Sequence, residues 1–157
     1  MIDLYILSWV NIMRKMTTLF LMLACNAHAT CFKQAADKYH IDPDLIYVIC
    51  KGESAFKVDA INSDNSDGSI DYGYCQINSW WLSRLADYGI DRNVLLTDPC
   101  ANVMVSAWII DQNFKTGGVN WNSIGAYNAG WTQENAGARR VYIEKVKSNL
   151  RKYKKSK

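Results

Sequence analysis

"DLIYVICKGESAF", residues 44–56, is the stretch on which the reading of this chain turns. With a period of 3.6 residues, Ile46, Ile49 and Cys50 fall at i, i+3 and i+4 of one face, and the i+7 position of that face is Glu53. An acid therefore points into an apolar wall. Asp42 and Pro43 supply an N-cap and a first helical residue, and Gly52 weakens the last turn beside the acid, where something can approach closely. Apolar surroundings disfavour the charged form of a carboxyl group, moving its pKa from about 4.3 towards about 6, where it serves as a general acid near neutral pH. The alternatives for Glu53 are a salt-bridged structural acid or a shifted helical phase.

Upstream, Phe32, Ala35, Ala36 and Tyr39 form an i, i+3, i+4, i+7 stripe, which predicts a short helix over 31–39, joined to the helix of Glu53 by His40-Ile41-Asp42. Downstream, "DAINSDNSDGSIDYG" (59–73) is dense in turn residues and predicts a polar loop with a small hairpin around Asp67-Gly68. "YCQINSWWLSRLADYG" (74–89) returns to helical spacing and ends at Gly89, with Trp81, Leu82 and Leu85 as packing residues. Asp98-Pro99 repeats the cap-and-proline start, and Val103, Ala107, Ile110 and Phe114 predict a central buried helix ending near Gly117-Gly118. "WNSIGAYNAG" (121–130) reads as a helix stopped by Asn128 and Gly130, and a last helix from the region of Arg139 carries Tyr142, Val146 and Leu150. From Arg139 to Lys157 there are nine Lys and Arg against one acid, Glu144, which reads either as a surface for an anionic polymer or as a solvated tail.

At 157 residues, 49% hydrophobic and 12% aromatic, the chain suits one domain with a substantial core. Arg14-Lys15, the apolar run Leu19 to Cys25 and the A-x-A site Ala27-His28-Ala29 mark residues 1–29 as a secretory signal peptide, with Met13 as the natural start, and leave 30–157 as the mature domain. A membrane anchor over Ile2 to Leu23 is disfavoured because Arg14-Lys15 splits it, and an imperfect lipobox offers lipid attachment at Cys25 as a lesser alternative. Cleavage removes Arg14, Lys15 and Asp3 and lowers the formal charge from +3 to +2, too mild to argue for nucleic acid. Cys31, Cys50, Cys75 and Cys100 remain, an even number that reads as two disulfides in an oxidising periplasm, with three pairings open. Buried free thiols are the alternative. A zinc site is disfavoured by wide spacings and by His40 being the only mature histidine, so neither metal nor other cofactor is expected.

That single histidine, in a turn, also argues against Ser-His-Asp and Cys-His hydrolases, and no phosphate-cradling glycine motif is present. Carboxylate chemistry remains, and glycosidic cleavage uses it most directly. Three ordered motifs then resemble the family 1 lytic transglycosylases. Gly52-Glu53-Ser54-Ala55-Phe56 resembles their E-S-x-F element, Gly73-Tyr74-Cys75-Gln76-Ile77-Asn78 their G-[LIY]-x-Q-[IV]-[NM] element, and Ala126-Tyr127-Asn128-Ala129-Gly130 their A-Y-N-A-G element, while Tyr142 matches the closing tyrosine. The length, Cys31 and Asp98-Pro99-Cys100 look most like the small members that accompany secretion systems, conjugation systems and type IV pili.

The resemblance implies a mainly helical, lysozyme-like α+β fold, peptidoglycan glycan strands as substrate, and components of an envelope-spanning apparatus as partners of a monomeric enzyme. It implies a Cys31–Cys100 bridge, which leaves Cys50 with Cys75, a departure from relatives that carry a hydrophobic residue such as Met at the position of Cys75. Glu53 would be the acid and base that closes a 1,6-anhydro ring. Gln76 and Asn78 would contact sugar, Ser54, Tyr127 and Asn128 would line the site, and Tyr142 would hydrogen-bond near Glu53. Asp71, 18 residues after Glu53, either stabilises the transition state, turns the enzyme into a hydrolysing muramidase, or caps a turn. Trp80, Trp81 and Trp131 are sugar platforms or core, and a glycan-binding assembly protein is the non-enzymatic rival.

Overall fold

The computed structural model describes residues 30–157; the signal peptide expected at 1–29, the start at Met13 and the lipid site at Cys25 lie outside the described residues. Among the described residues, seven α-helices surround a small sheet. Helix α1 covers residues 30–39, and α2 runs Pro43–Ser54 with the Asp42 carboxylate accepting from the Asp44 amide, as the cap-and-proline pattern predicts. Its apolar face is fully buried at Ile46, Ile49 and Cys50, each apolar side chain contributing about 1.5–3 kcal/mol. Beyond Ser54 the chain turns sharply through two successive left-handed residues, Ala55 (φ 52°) and Phe56 (φ 69°).

Strands β1 (Ile61–Asn62), β2 (Asp71–Tyr72) and β3 (Ile77–Asn78) form an antiparallel sheet in that order. Register aligns Asn62, Asp71 and Asn78 across the three strands, and Ile61, Tyr72 and Ile77 in the next row. Residues paired across strands project on one face, so a polar row forms beside a row in which Tyr72 and Ile77 are buried. The expected helix over 74–89 is corrected here. Residues 74–76 turn, with Gln76 at φ 53°, and 77–78 are strand; helical structure begins only with the single 3-10 turn Ser79–Trp81, continues as α3 (Leu82–Leu85), and closes in a second 3-10 turn capped by Gly89 at φ 70°.

Helix α4 (Arg92–Thr97), which the sequence reading passed over, leads into α5 (Pro99–Gly117), whose first two free amides donate to the Asp98 carboxylate. Helix α5 is the central element, with Val103, Ala107 and Ile110 buried alongside Asn102 and Ser106. Helix α6 (Trp121–Ala129) ends at Gly130 rather than Asn128, and α7 (Ala136–Lys155) starts three residues earlier than expected and stays helical through its basic end. Lys154 of that end and Lys157, just beyond the helix, pair with Asp42 and Asp44 at the capped start of α2. Arg139 is buried, and its guanidinium donates to the Gly130 and Thr132 carbonyls and to Asn122 Oδ1, satisfying the C-terminal end of α6. The α6–α7 crossing is close because Gly125 lies against Arg139 and Ile143, where a Cβ would meet atoms 3.0–3.1 Å away.

Candidate active site

Glu53 ends the buried face of α2 at the base of a cleft of about 800 Å³. Its wall on one side is the sheet and the segment after it, and on the other α6 and the loop to α7. Tyr142, buried in α7, donates its hydroxyl to Glu53 Oε1 at 2.5 Å. With Oε1 taken as acceptor, the proton of the neutral acid belongs on Oε2. Burial pushes the Glu53 pKa up; the Tyr142 hydrogen bond and the positive charge of Lys145 pull against it, and the Asp71 charge adds to the rise. Lys145 reaches this end of α2 through a bond from Nζ to the Gly52 carbonyl, 3.1 Å. What approaches Gly52 is therefore α7: a Cβ there would lie 3.3 Å from the Asn149 amide.

Asp71 faces the same cleft from the sheet. Its Oδ1 accepts from Asn78 Nδ2 (2.8 Å), and its Oδ2 accepts from Asn62 (3.0 Å) and Asn65 (2.9 Å). Strand register brings Asn62 and Asn78 to its two sides, and the polar loop folds Asn65 back onto it. Three neutral amides hold the carboxylate in one orientation without neutralising its charge. Asn62 and Asn65 were not singled out as site residues; the dense Asn and Asp of 59–73 carried the signal, but only register says which of them meet.

The other expected site residues divide by position. Gln76, Tyr127 and Asn128 line the cleft. Gln76 is anchored by its amide nitrogen to the Gly73 (2.9 Å) and Ala60 (3.3 Å) carbonyls. The Tyr127 hydroxyl donates to the Cys75 carbonyl (2.8 Å) and lies 3.1 Å from Ser106 Oγ; burial raises its pKa, so it remains a neutral phenol. Asn128 is exposed in the last turn of α6. Asn78 also lines the cleft, but its side chain bonds Asp71, Ser69 Oγ and the Trp80 amide, which makes it a support for Asp71. Ser54 does not line the cleft: its hydroxyl donates to the Tyr74 carbonyl at 2.7 Å and ties α2 to the 73–76 turn. Tyr142 sits behind Glu53, outside the lining.

Two further features hold that turn. Cys50 bonds Cys75, both fully buried, joining the helix of Glu53 to the residue before Gln76; Cys31 bonds Cys100, joining α1 to α5. Asn102, fully buried in α5, accepts from the Cys75 amide (2.9 Å) and donates to the Tyr72 (3.0 Å) and Leu95 (2.9 Å) carbonyls. Gly73, at φ 75°, lies so close that a Cβ would fall 2.1 Å from the Leu95 carbonyl oxygen and 2.4 Å from Asn102 Nδ2. Sequence reading missed Asn102 because a polar residue in an apolar stripe carries no sign of its partners.

An acid held between a helix end and a sheet-borne carboxylate, in an open cleft of a mainly helical domain, defines a lysozyme-like glycan-cleaving protein. The chain matches the transglycosylase SLT domain over residues 30–150, belongs to that family, and is a lytic transglycosylase. Invasion protein IagB of Salmonella typhimurium is 40% identical over 136 residues, covering 87% of this chain and 84% of the relative. Protein IpgF of Shigella flexneri is 33% identical over 130 residues, covering 81% of this chain and 85% of the relative. The fold matches an inactive mutant of lytic transglycosylase Slt from Pseudomonas aeruginosa with a TM-score of 0.59 at 21% identity, over 79% of this chain and 23% of that one. The expected lysozyme-like α+β fold is therefore the fold observed.

Proposed function

We propose that the protein cleaves the β-1,4 bond between N-acetylmuramic acid and N-acetylglucosamine in peptidoglycan, with Glu53 as the single acid and base. The observation that supports this most is Glu53 itself, an acid whose neutral form is favoured by burial, steered by Tyr142 and open to a glycan-sized cleft. Glu53 gives its proton to the glycosidic oxygen as the bond from muramic C1 to that oxygen breaks. The resulting carboxylate takes the proton of the muramic C6 hydroxyl while O6 bonds C1. A 1,6-anhydro ring forms, the acid is regenerated, and no water is consumed. Asp71 stabilises the positive charge that develops at C1, its negative charge held ready by three amides so that no reorganisation is needed. Gln76, Tyr127 and Asn128 bind the sugars.

The signal sequence and the even cysteine count support action in the periplasm, on residues 30–157 as a single mature domain. The kinship with a protein named for invasion supports a role in opening the wall locally for a secretion, conjugation or pilus apparatus. The test is mass spectrometry of muropeptides released from purified peptidoglycan. Wild-type protein is expected to release anhydro-muramic ends, and Glu53→Gln to lose at least about 10²-fold in rate. Reducing ends in place of anhydro ends would make this a hydrolysing muramidase with Asp71 directing water. Binding without any cleavage would leave the assembly-protein reading.

A further inference from the structure

Charge is divided unevenly along this chain. Residues 30–138 hold seven Lys and Arg against thirteen acids, a formal −6, whereas residues 139–157 hold nine against one, a formal +8. The basic end is an ordered element: α7 is helical to Lys155, buries Arg139, Tyr142, Ile143 and Val146 along one side, and is fastened to α2 by the Lys154–Asp42 pair. Its other side is therefore a fixed surface. Arg140, Arg151 and Lys155 stand at i, i+11 and i+15, a row about 22 Å long on the solvent face, with Lys152 beside it. All four are exposed, and none has a carboxylate within ion-pair distance among the described residues. The helix dipole accounts only for cations in the last turn, and Arg140 and Arg151 lie outside it. No residue from 139 to 157 lines the glycan cleft.

Apolar side chains accompany this row. Val141 of α7 is 73% exposed and Val119, just before α6, 83%. Lys147 of α7 lies over the partly exposed Trp121 ring at 5.2 Å, which places that indole at the edge of the basic face. Cations on long apolar stems, exposed valines and an edge indole are the chemistry that seats a helix in the headgroup layer of a bilayer. A hydrated glycan or a nucleic acid rewards the cations but not the valines. Among the described residues no helix is long and apolar enough to cross a membrane, so such a contact is peripheral. We propose that the outer face of α7 docks the protein on an anionic phospholipid surface. The acidic remainder, which includes Asp67 and Asp71 of the cleft, is repelled by the same surface, so the glycan cleft stays free. This docking is independent of which glycan bond the cleft cuts.

The experiment is co-sedimentation of the exported protein with vesicles of phosphatidylcholine alone and of phosphatidylcholine mixed with phosphatidylglycerol. Binding is expected only to the mixed vesicles, weakening as salt is raised. The triple variant Arg140→Gln, Arg151→Gln, Lys155→Gln is expected to bind them about 100-fold more weakly at unchanged helix content, each cation near such a surface contributing about fivefold. Lys33→Gln, Lys57→Gln, Arg92→Gln removes the same charge from exposed sites outside α7 and is expected to change the affinity less than about threefold. Equal binding to neutral vesicles, no binding to either kind, or an equal fall in the second triple variant overturns the proposal. Binding to lipid-free peptidoglycan that is lost in the α7 triple variant, with no binding to vesicles, assigns the face to the wall polymer and overturns it as well.

Discussion

Tyr142 and Asp71 pull on Glu53 in opposite directions. Burial raises the pKa of the acid most; the Tyr142 hydroxyl lowers it by bonding the carboxylate, and the Asp71 charge raises it by repulsion. The first proton transfer needs neutral Glu53, so kcat/KM falls as pH rises through that pKa. Tyr142→Phe removes a group that favours the charged form, and the alkaline limb is expected to move to higher pH. Asp71→Asn removes a group that disfavours it, and the limb is expected to move to lower pH, with kcat reduced about 10–100-fold by the lost stabilisation of positive charge. Profiles of kcat/KM against pH for the two variants decide this; limbs that move together would mean that another group titrates. Motif position anticipated the bond of Tyr142 to Glu53, but not that Asn78 and Ser54 spend their side chains on protein partners.

At the scale of elements, the 73–76 turn is where α2, α5 and the sheet meet. It carries Gln76 into the cleft and is held by Asn102 from α5, by Ser54 from α2 and by the Cys50 bridge. Asn102→Ala would leave the Cys75 amide and the Tyr72 and Leu95 carbonyls buried without their partner. A loss of about 2–4 kcal/mol in urea unfolding is expected, with activity falling as Gln76 loses its place. A change below about 0.5 kcal/mol would show that the turn is held by its other ties. Helical spacing through 74–89 was a true pattern with an incomplete reading. Trp81, Leu82 and Leu85 do face the core or its edge, yet left-handed Gln76 and pairing with β2 convert the first residues to turn and strand. Period alone cannot foresee a neighbour that offers a ladder of hydrogen bonds.

Across the whole molecule, the two disulfides fasten the N-terminal helices to the rest: Cys31 to α5, and Cys50 to the turn beside Gln76. They span sequence separations of 69 and 25 residues. The Cys50→Ala, Cys75→Ala double variant is expected to lose about 2–4 kcal/mol by denaturant unfolding. Because the bridge joins the helix of the acid to the sugar-binding turn, kcat is expected to fall even under conditions where the variant is fully folded. Unaltered kcat with the stability loss would confine the bridge to a structural role. Helix α7 works at this scale too: it packs on both α2 and α6, and brings Tyr142 and Lys145 to an acid about 90 residues earlier in the chain.

Local physics was legible in the sequence. The capped starts at Asp42 and Asp98, the buried face of α2 with Glu53 closing it, the glycine stop at 130 and the pairing of Cys50 with Cys75 once Cys31 was assigned to Cys100 all follow from residue order and the family motifs. Tertiary structure decided what those residues meet. The three-amide cradle of Asp71 depends on strand register, and the Asn102 clamp on where α5 passes the turn. Covalent order dictates propensity, period and caps because these act within a few residues. Burial, charge and hydrogen-bond partners come from residues distant in sequence, and those set the acidity of Glu53.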